Sequence, residues 1–140
     1  MSFRIAEEAI EAKLLAEWTR PLIPIVFSLR DQTKPLPSTG AWVYVLIQAE
    51  VESLTAFGGG EGRNEWEVAG RIEGRFFVPN GGPVALARLM RDEFSTIFRG
   101  KKFSNVRCLS ATPGMGNASE TSGNFFMLDA TVDFVYRFRG

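Results

Sequence analysis

The sequence predicts an α+β fold: a mostly antiparallel or mixed sheet of about 4–5 strands, with two helices packed on one face as a two-layer sandwich. Three observations point there. Two segments place apolar residues three and four apart, the period of a helix with one buried stripe. Three long segments alternate apolar and polar residues, the period of a strand with one wet face. Glycine- and proline-bearing turns separate them, with no internal repeat, linker or low-complexity tract, so residues 1–140 read as a single domain.

The first element is a helix from about Phe3 to Trp18, with Ser2 placed to cap it. Phe3, Ala6, Ile10 and Leu14 form its stripe, and Glu7, Glu8 and Glu11 crowd the half that the helix dipole favours for acids. Pro21 and Pro24 end it. A short strand, Ile25 to Leu29, leads into a loop over 31–40 that holds Pro35 and Pro37. The second strand, Ala41 to Leu54, sets Val43, Val45, Ile47, Ala49 and Val51 on one face. Trp42, Tyr44, Leu46, Gln48, Glu50 and Glu52 take the other.

A glycine-rich loop then turns the chain into the third strand, Arg63 to Val78. There Glu65, Glu67, Arg71, Glu73 and Arg75 alternate with Trp66, Val68, Ile72 and Phe76, so the two strands form an antiparallel hairpin. Pro83 suits the first turn of a second helix running to about Phe98, with Leu86, Leu89, Met90, Phe94 and Ile97 as its stripe and Gly100 as its stop. Glu93 falls inside that stripe, so it needs an arginine partner, across the sheet or from a second subunit, to offset burial. A short strand, Asn105 to Ser110, precedes a loop over 111–124. The last strand runs from Phe125 to Arg139, with Phe126, Leu128, Ala130, Val132, Phe134 and Tyr136 on its core face.

Composition narrows the function. Apolar residues at 45% and charged residues at 23% are ordinary for a globular chain and exclude a disordered tail. Lys and Arg number 16, as do Asp and Glu, so the basic surplus of a general nucleic-acid or membrane binder is missing. The balance is uneven, with residues 1–70 carrying an acidic excess and residues 71–140 a basic one. Such asymmetry suits a self-associating surface, unless the fold interleaves the two halves. Histidine is absent, removing the commonest general base and zinc ligand. Cys108 is the single cysteine, so no internal disulfide or cysteine metal cluster forms, and a reducing cytoplasm is the expected home. An acidic N-terminus does not read as a signal peptide, and no apolar run nears the ~20 residues of a membrane span.

Each candidate for chemistry meets a simpler account. Gly58-Gly59-Gly60-Glu61-Gly62-Arg63 lacks the lysine and following helix of a phosphate loop, and reads as a hairpin tip. Cys108 has no histidine to activate it. Asp129 and Asp133 could join Glu65, Glu67 and Glu73 as a carboxylate cluster, but interleaved arginines favour a neutralised sheet surface. Lys101 and Lys102 beside Arg99 read as compensation for a helix end. Trp42, Tyr44, Phe57, Trp66, Phe76, Phe77 and Phe103 have no basic groove to make a single-strand binder, so core and interface packing accounts for them. The chain therefore reads as a non-enzyme with no catalytic, cofactor or metal residues. Its strands are long for its size, and their matched charges and glycine loops suit a protomer of a larger assembly.

Several segments together resemble the tail terminator family of lambda-like, long-tailed phages and related small prophage proteins. They are the N-terminal helix, the run Thr55-Ala56-Phe57-Gly58-Gly59-Gly60 leading to Arg63, the strand Gly70-Arg71-Ile72-Glu73-Gly74-Arg75-Phe76-Phe77-Val78-Pro79, Gly81-Gly82, and the helix Ala85-Leu86-Ala87-Arg88-Leu89 to Ile97-Phe98. The resemblance covers nearly the whole chain. It implies an α+β domain that forms a hexameric ring in the virion from protomers able to stay monomeric in isolation. The ring caps the tail tube, ends its polymerisation and offers a surface to the head–tail connector. The implied partners are self, the tail-tube protein and the connector, with no sequence-specific nucleic acid, no membrane and no cofactor. The implied location is the virion tail, after assembly in the host cytoplasm. The candidate assembly contacts are Gly58, Gly59, Gly60, Arg63, Glu65, Glu67, Arg71, Glu73 and Arg75. The competing readings are a neck or head–tail completion protein and a small α+β enzyme or ligand-binding domain.

Overall fold

A computed structural model describes residues 3–28, 30–31, 35–37, 39–57, 63–114 and 125–140. Its elements run α1 (Phe3–Glu17), β1 (Ile25–Phe27), β2 (Trp42–Ala56), β3 (Glu65–Pro79), α2 (Val84–Phe98), β4 (Lys102–Phe103), β5 (Val106–Pro113) and β6 (Phe125–Arg139). The fold is α+β, as the periodicities predict. The caps expected of Ser2 and the glycine tip Gly58-Gly59-Gly60 lie outside the described residues.

Two expectations need correction, the strand count and the flat layer, while the mixed pairing agrees with the expectation. The sheet has six strands rather than four or five, in the order β1-β2-β3-β6-β5-β4. It is mixed, because β1 pairs parallel to β2 while every other neighbour is antiparallel. And it curls into a half-barrel instead of lying flat as one layer of a sandwich. The extra strand, β4, has two residues, too few for any period to show. The curl has a local cause. One-residue irregularities in β2 at Glu50 and Thr55, and a further one in β5 between Cys108 and Ala111, bend the strands and raise their twist.

The Glu50 bulge also reverses the face assignment of β2. Up to Ala49, the odd residues share a face with Gly70, Ile72, Gly74 and Phe76 of β3. Beyond it, Val51 pairs with Ala69 on the opposite face, while Glu52 and Leu54 take the helix-side positions opposite Val68 and Trp66. Val51, expected on the core face, is 59% exposed. One extra residue shifts every later side chain across the sheet.

Both helices pack on the concave face. Ala6, Ile10 and Leu14 of α1 and Ala87, Met90, Phe94 and Phe98 of α2 meet Val43, Val45, Val68, Ile72, Phe76, Val132, Phe134 and Tyr136 in one core. The Phe94 ring makes edge contacts with Phe76 and Phe98 at centroid distances of 5.4 and 5.1 Å, a favourable geometry for aromatic pairs. Phe3 stacks on Phe134 at 6.0 Å. The Phe134 ring lies against Gly70, where an added Cβ would stand 2.8 Å from that ring and 2.3 Å from the Gln48 carbonyl oxygen. Only glycine fits there.

In α2 the stripe lies further round than expected. Leu89 is exposed, while Ala87, Ser95 and Phe98 are buried. Gly100, with φ +70°, follows its C-terminal end, where the Arg99 amide donates to the Ser95 carbonyl. A second apolar cluster sits on the convex face: Trp42 stacks on Phe77 at 4.3 Å, beside Val26 and Phe125.

Candidate assembly surface

The five charged residues predicted on one face of β3 do share it. Glu65, Glu67, Arg71, Glu73 and Arg75 project from the convex side, and the β6 register opposes most of them with the other sign. Glu65 faces Arg139, Glu67 faces Arg137, Arg71 faces Asp133 and Arg75 faces Asp129. The Arg137 Nε donates to Glu67 Oε2 at 2.9 Å, Arg75 donates to Glu73 at 3.2 Å, and Arg71 pairs with Glu50 from the β2 bulge. Exposed pairs of this kind contribute only about 0–1 kcal/mol each, so the row sets local sign more than stability. Arg63 is exposed just ahead of β3, and the glycines meant to accompany it fall outside the described residues.

The carboxylates of this face do not converge. Each stands beside or opposite an arginine, and among the described residues no group of histidine, cysteine or carboxylate side chains is placed to hold a metal ion. Cys108 is buried in β5, and burial pushes its thiol up to about 12, so it stays protonated near neutrality. Glu93 finds its partners after α1: the Thr19 hydroxyl and amide donate to it, and Arg20 stands 3.9 Å away. The predicted arginine is present. It comes from the segment after α1, not from the sheet or a second subunit.

A further feature of this surface leaves no local pattern in the sequence. At the β4–β5 end of the sheet a cavity of about 370 Å³ is lined by Lys102, Arg107, Arg137 and Arg139, with Asn105 and the Glu65 carboxylate. Residues Ser104 and Asn105, both at positive φ, make the tight turn that sets Lys102 opposite Arg107. Arg137 is held by Glu67, whereas Lys102, Arg107 and Arg139 make no ion pair among the described residues. The basic excess of residues 71–140 was the available signal. It was too diffuse to mark a site before β4, β5 and β6 were seen side by side.

Fold and surface together define a small α+β protein with helices in the curl of its sheet and a charged, open convex face. No helix is long and apolar enough to cross a membrane. Comparison with known proteins adds the fold alone. No protein-family description and no curated protein matches the chain. It is similar to a solved structure that carries no descriptive name. That likeness covers 99% of this chain and 97% of the other, at a TM-score of 0.69 and 17% identity.

Proposed function

We propose that this chain is a structural protein of a phage or prophage tail, a terminator whose oligomeric ring caps the tail tube and forms part of the head–tail joining surface. The observation that carries the reading is the extent of sheet a monomer does not need. Strands β2, β3 and β6 each run 15 residues, about three times a typical strand, yet β2 is exposed from Gln48 to Ser53. That extension contributes little to the core and presents a neutralised charge row on its convex face. Such a surface suits packing against preformed protein, where local sign matching decides the register.

In this reading Glu65, Glu67, Arg71, Glu73 and Arg75 meet neighbouring subunits or the tube, with Arg63 at the contact's edge. Lateral contacts close by rotation, the two faces of the ring differ, and growth of the tube therefore stops. The protein binds tube ends without polymerising itself. Deleting its gene should give overlong tails, or tails unjoined to filled heads, in electron micrographs of the lysate. Tails of normal length still attached to heads would refute the assignment.

A further inference from the structure

The strand order places β1 and β2 on one side of the sheet and β5 and β4 on the other, with β3 and β6 at the centre. Acids and arginines of β3 and β6 neutralise one another there, and the signs separate only toward the flanks. On the β4–β5 side lies the basic cavity, where four cations (Lys102, Arg107, Arg137 and Arg139) face one lining carboxylate, Glu65. On the β1–β2 side Glu7 and Glu11 of α1 border a shallow cleft with Phe27, Ser28, Val45 and Ile47, and the neighbouring Glu8 is paired with Arg4.

We propose that the basic cavity is a docking site for the acidic α1–β1 edge of a second copy of this chain, giving a head-to-tail contact. Charge complementarity selects that occupant: the cavity is lined mostly by cations, and the cleft is bordered by two glutamates. Glu7 and Glu11 have no ion pair among the described residues, although Arg30 offsets part of the repulsion at Glu11. Partial burial and neighbouring carboxylates push both side chains above the usual carboxylate range, so a cation brought by a partner stabilises them. Lys102, Arg107 and Arg139 are exposed cations in the mirror situation.

Where the cavity and the cleft of one chain are met by two different copies, the contact is heterologous; it repeats from copy to copy and closes into a ring where the rotation allows. The contact deepens the ring reading above, but the pairing of these two edges stands or falls separately from capping of a tube.

The test uses the full chain and two charge-reversed variants, Lys102→Glu/Arg107→Glu and Glu7→Lys/Glu11→Lys, whose altered side chains are exposed or half-buried, so folding should survive. Far-UV circular dichroism checks that it does. At low salt and high concentration, zero-length carbodiimide coupling of isotopically heavy and light wild-type chains should join Lys102 of one copy to Glu7, Glu8 or Glu11 of another. Each variant alone should couple at least about tenfold less. In a mixture of the two variants the intact edge of one meets the intact cavity of the other, and the two reversed patches are complementary as well, so one-to-one association should return. No intermolecular coupling in the wild type, undiminished coupling in either variant, or a mixture that stays monomeric would each overturn the proposal. So would a cavity that takes a single-stranded oligonucleotide in place of the second copy. Heterodimer formation by a protein whose gene deletion leaves tails normal would keep this contact and discard the capping role. Lost tail-length control without any heterodimer would do the reverse.

Discussion

Strand β2 is two different structures joined at Glu50. From Trp42 to Val45 it lies between β1 and β3, and Trp42, Val43 and Val45 are almost completely buried. From Gln48 to Ser53 it is exposed throughout, and β1 no longer covers its outer edge, since that pairing ends at Val45. Composition changes with it: Trp42 to Ile47 is apolar or aromatic throughout, whereas Gln48 to Ser53 is mostly polar, with Val51 its one large apolar side chain. Neighbouring elements follow the same division: α1 and α2 fill the curl over the first half only. Burial in a strand is conferred by what packs on it, and alternation in sequence marks only the face that could be buried.

The sharpest way to break this contrast is to put one substitution in both halves. Ile72→Asp, opposite Ile47 in the fully buried core, leaves an unpaired carboxylate there and should cost more than about 4 kcal/mol, largely unfolding the domain. Val51→Asp, just past the bulge, should stay within about 0.5 kcal/mol by thermal melting. Similar losses in the two variants would erase the distinction.

At the boundary, Gly70→Val should cost about 1–3 kcal/mol, because its Cβ would press on the Gln48 carbonyl and the Phe134 ring. A variant as stable as the parent would show that the two halves are not locked there. Further out, Glu67→Lys removes the Arg137 pair and places like charges opposite one another, yet should cost no more than about 1 kcal/mol in urea titrations. A larger loss would mean the convex charge row stabilises the fold after all.

The smallest effect lies on α1. Glu7 has its carboxyl raised, chiefly by partial burial and then by Glu8. A carboxylate whose folded value is raised costs stability when ionised, and that cost disappears as pH falls through the folded value towards the unfolded one. Glu7→Gln should therefore raise the melting temperature slightly at pH 7, within the about 0.5 kcal/mol of a surface change, and have no effect below about pH 4. A gain that persists in acid would point to some cause other than charge.

Much of this was legible beforehand. The α1 stripe of Ala6, Ile10 and Leu14, the β2–β3 hairpin and the clean alternation of β6 follow from period alone, because each buries one face against one core. What escaped has a physical reason in each case. Gln48-Ala49-Glu50-Val51-Glu52-Ser53 is so polar that no pattern distinguishes a bulge from a continued strand. The parallel partner of β1 is reached through residues 28–41, and pairing direction leaves no trace in a three-residue strand. Ala111 to Pro113 read as loop, yet they extend β5 by pairing with Val132, Thr131 and Ala130. The convex charge row was foreseen in full. The basic cavity was not, because its cations come from β4, β5 and β6, and only the β5–β6 pairing gathers them.

The two bulges in β2 have one more consequence. Fifteen residues of β2 span the same stretch that β3 covers with thirteen, from Glu65 to Phe77. The outer strand is thus longer along its contour by about 7 Å, at about 3.3 Å per residue, and it must bow to keep pace with its neighbour. A bowed edge presents its amides and carbonyls out of step with any straight strand laid beside it. Runaway backbone pairing of the amyloid kind needs a flat, regular template, and here that template is interrupted at both Glu50 and Thr55. The exposed arm is therefore protected from indiscriminate stacking in a crowded solution, and contacts along it must be made by side chains that discriminate among partners.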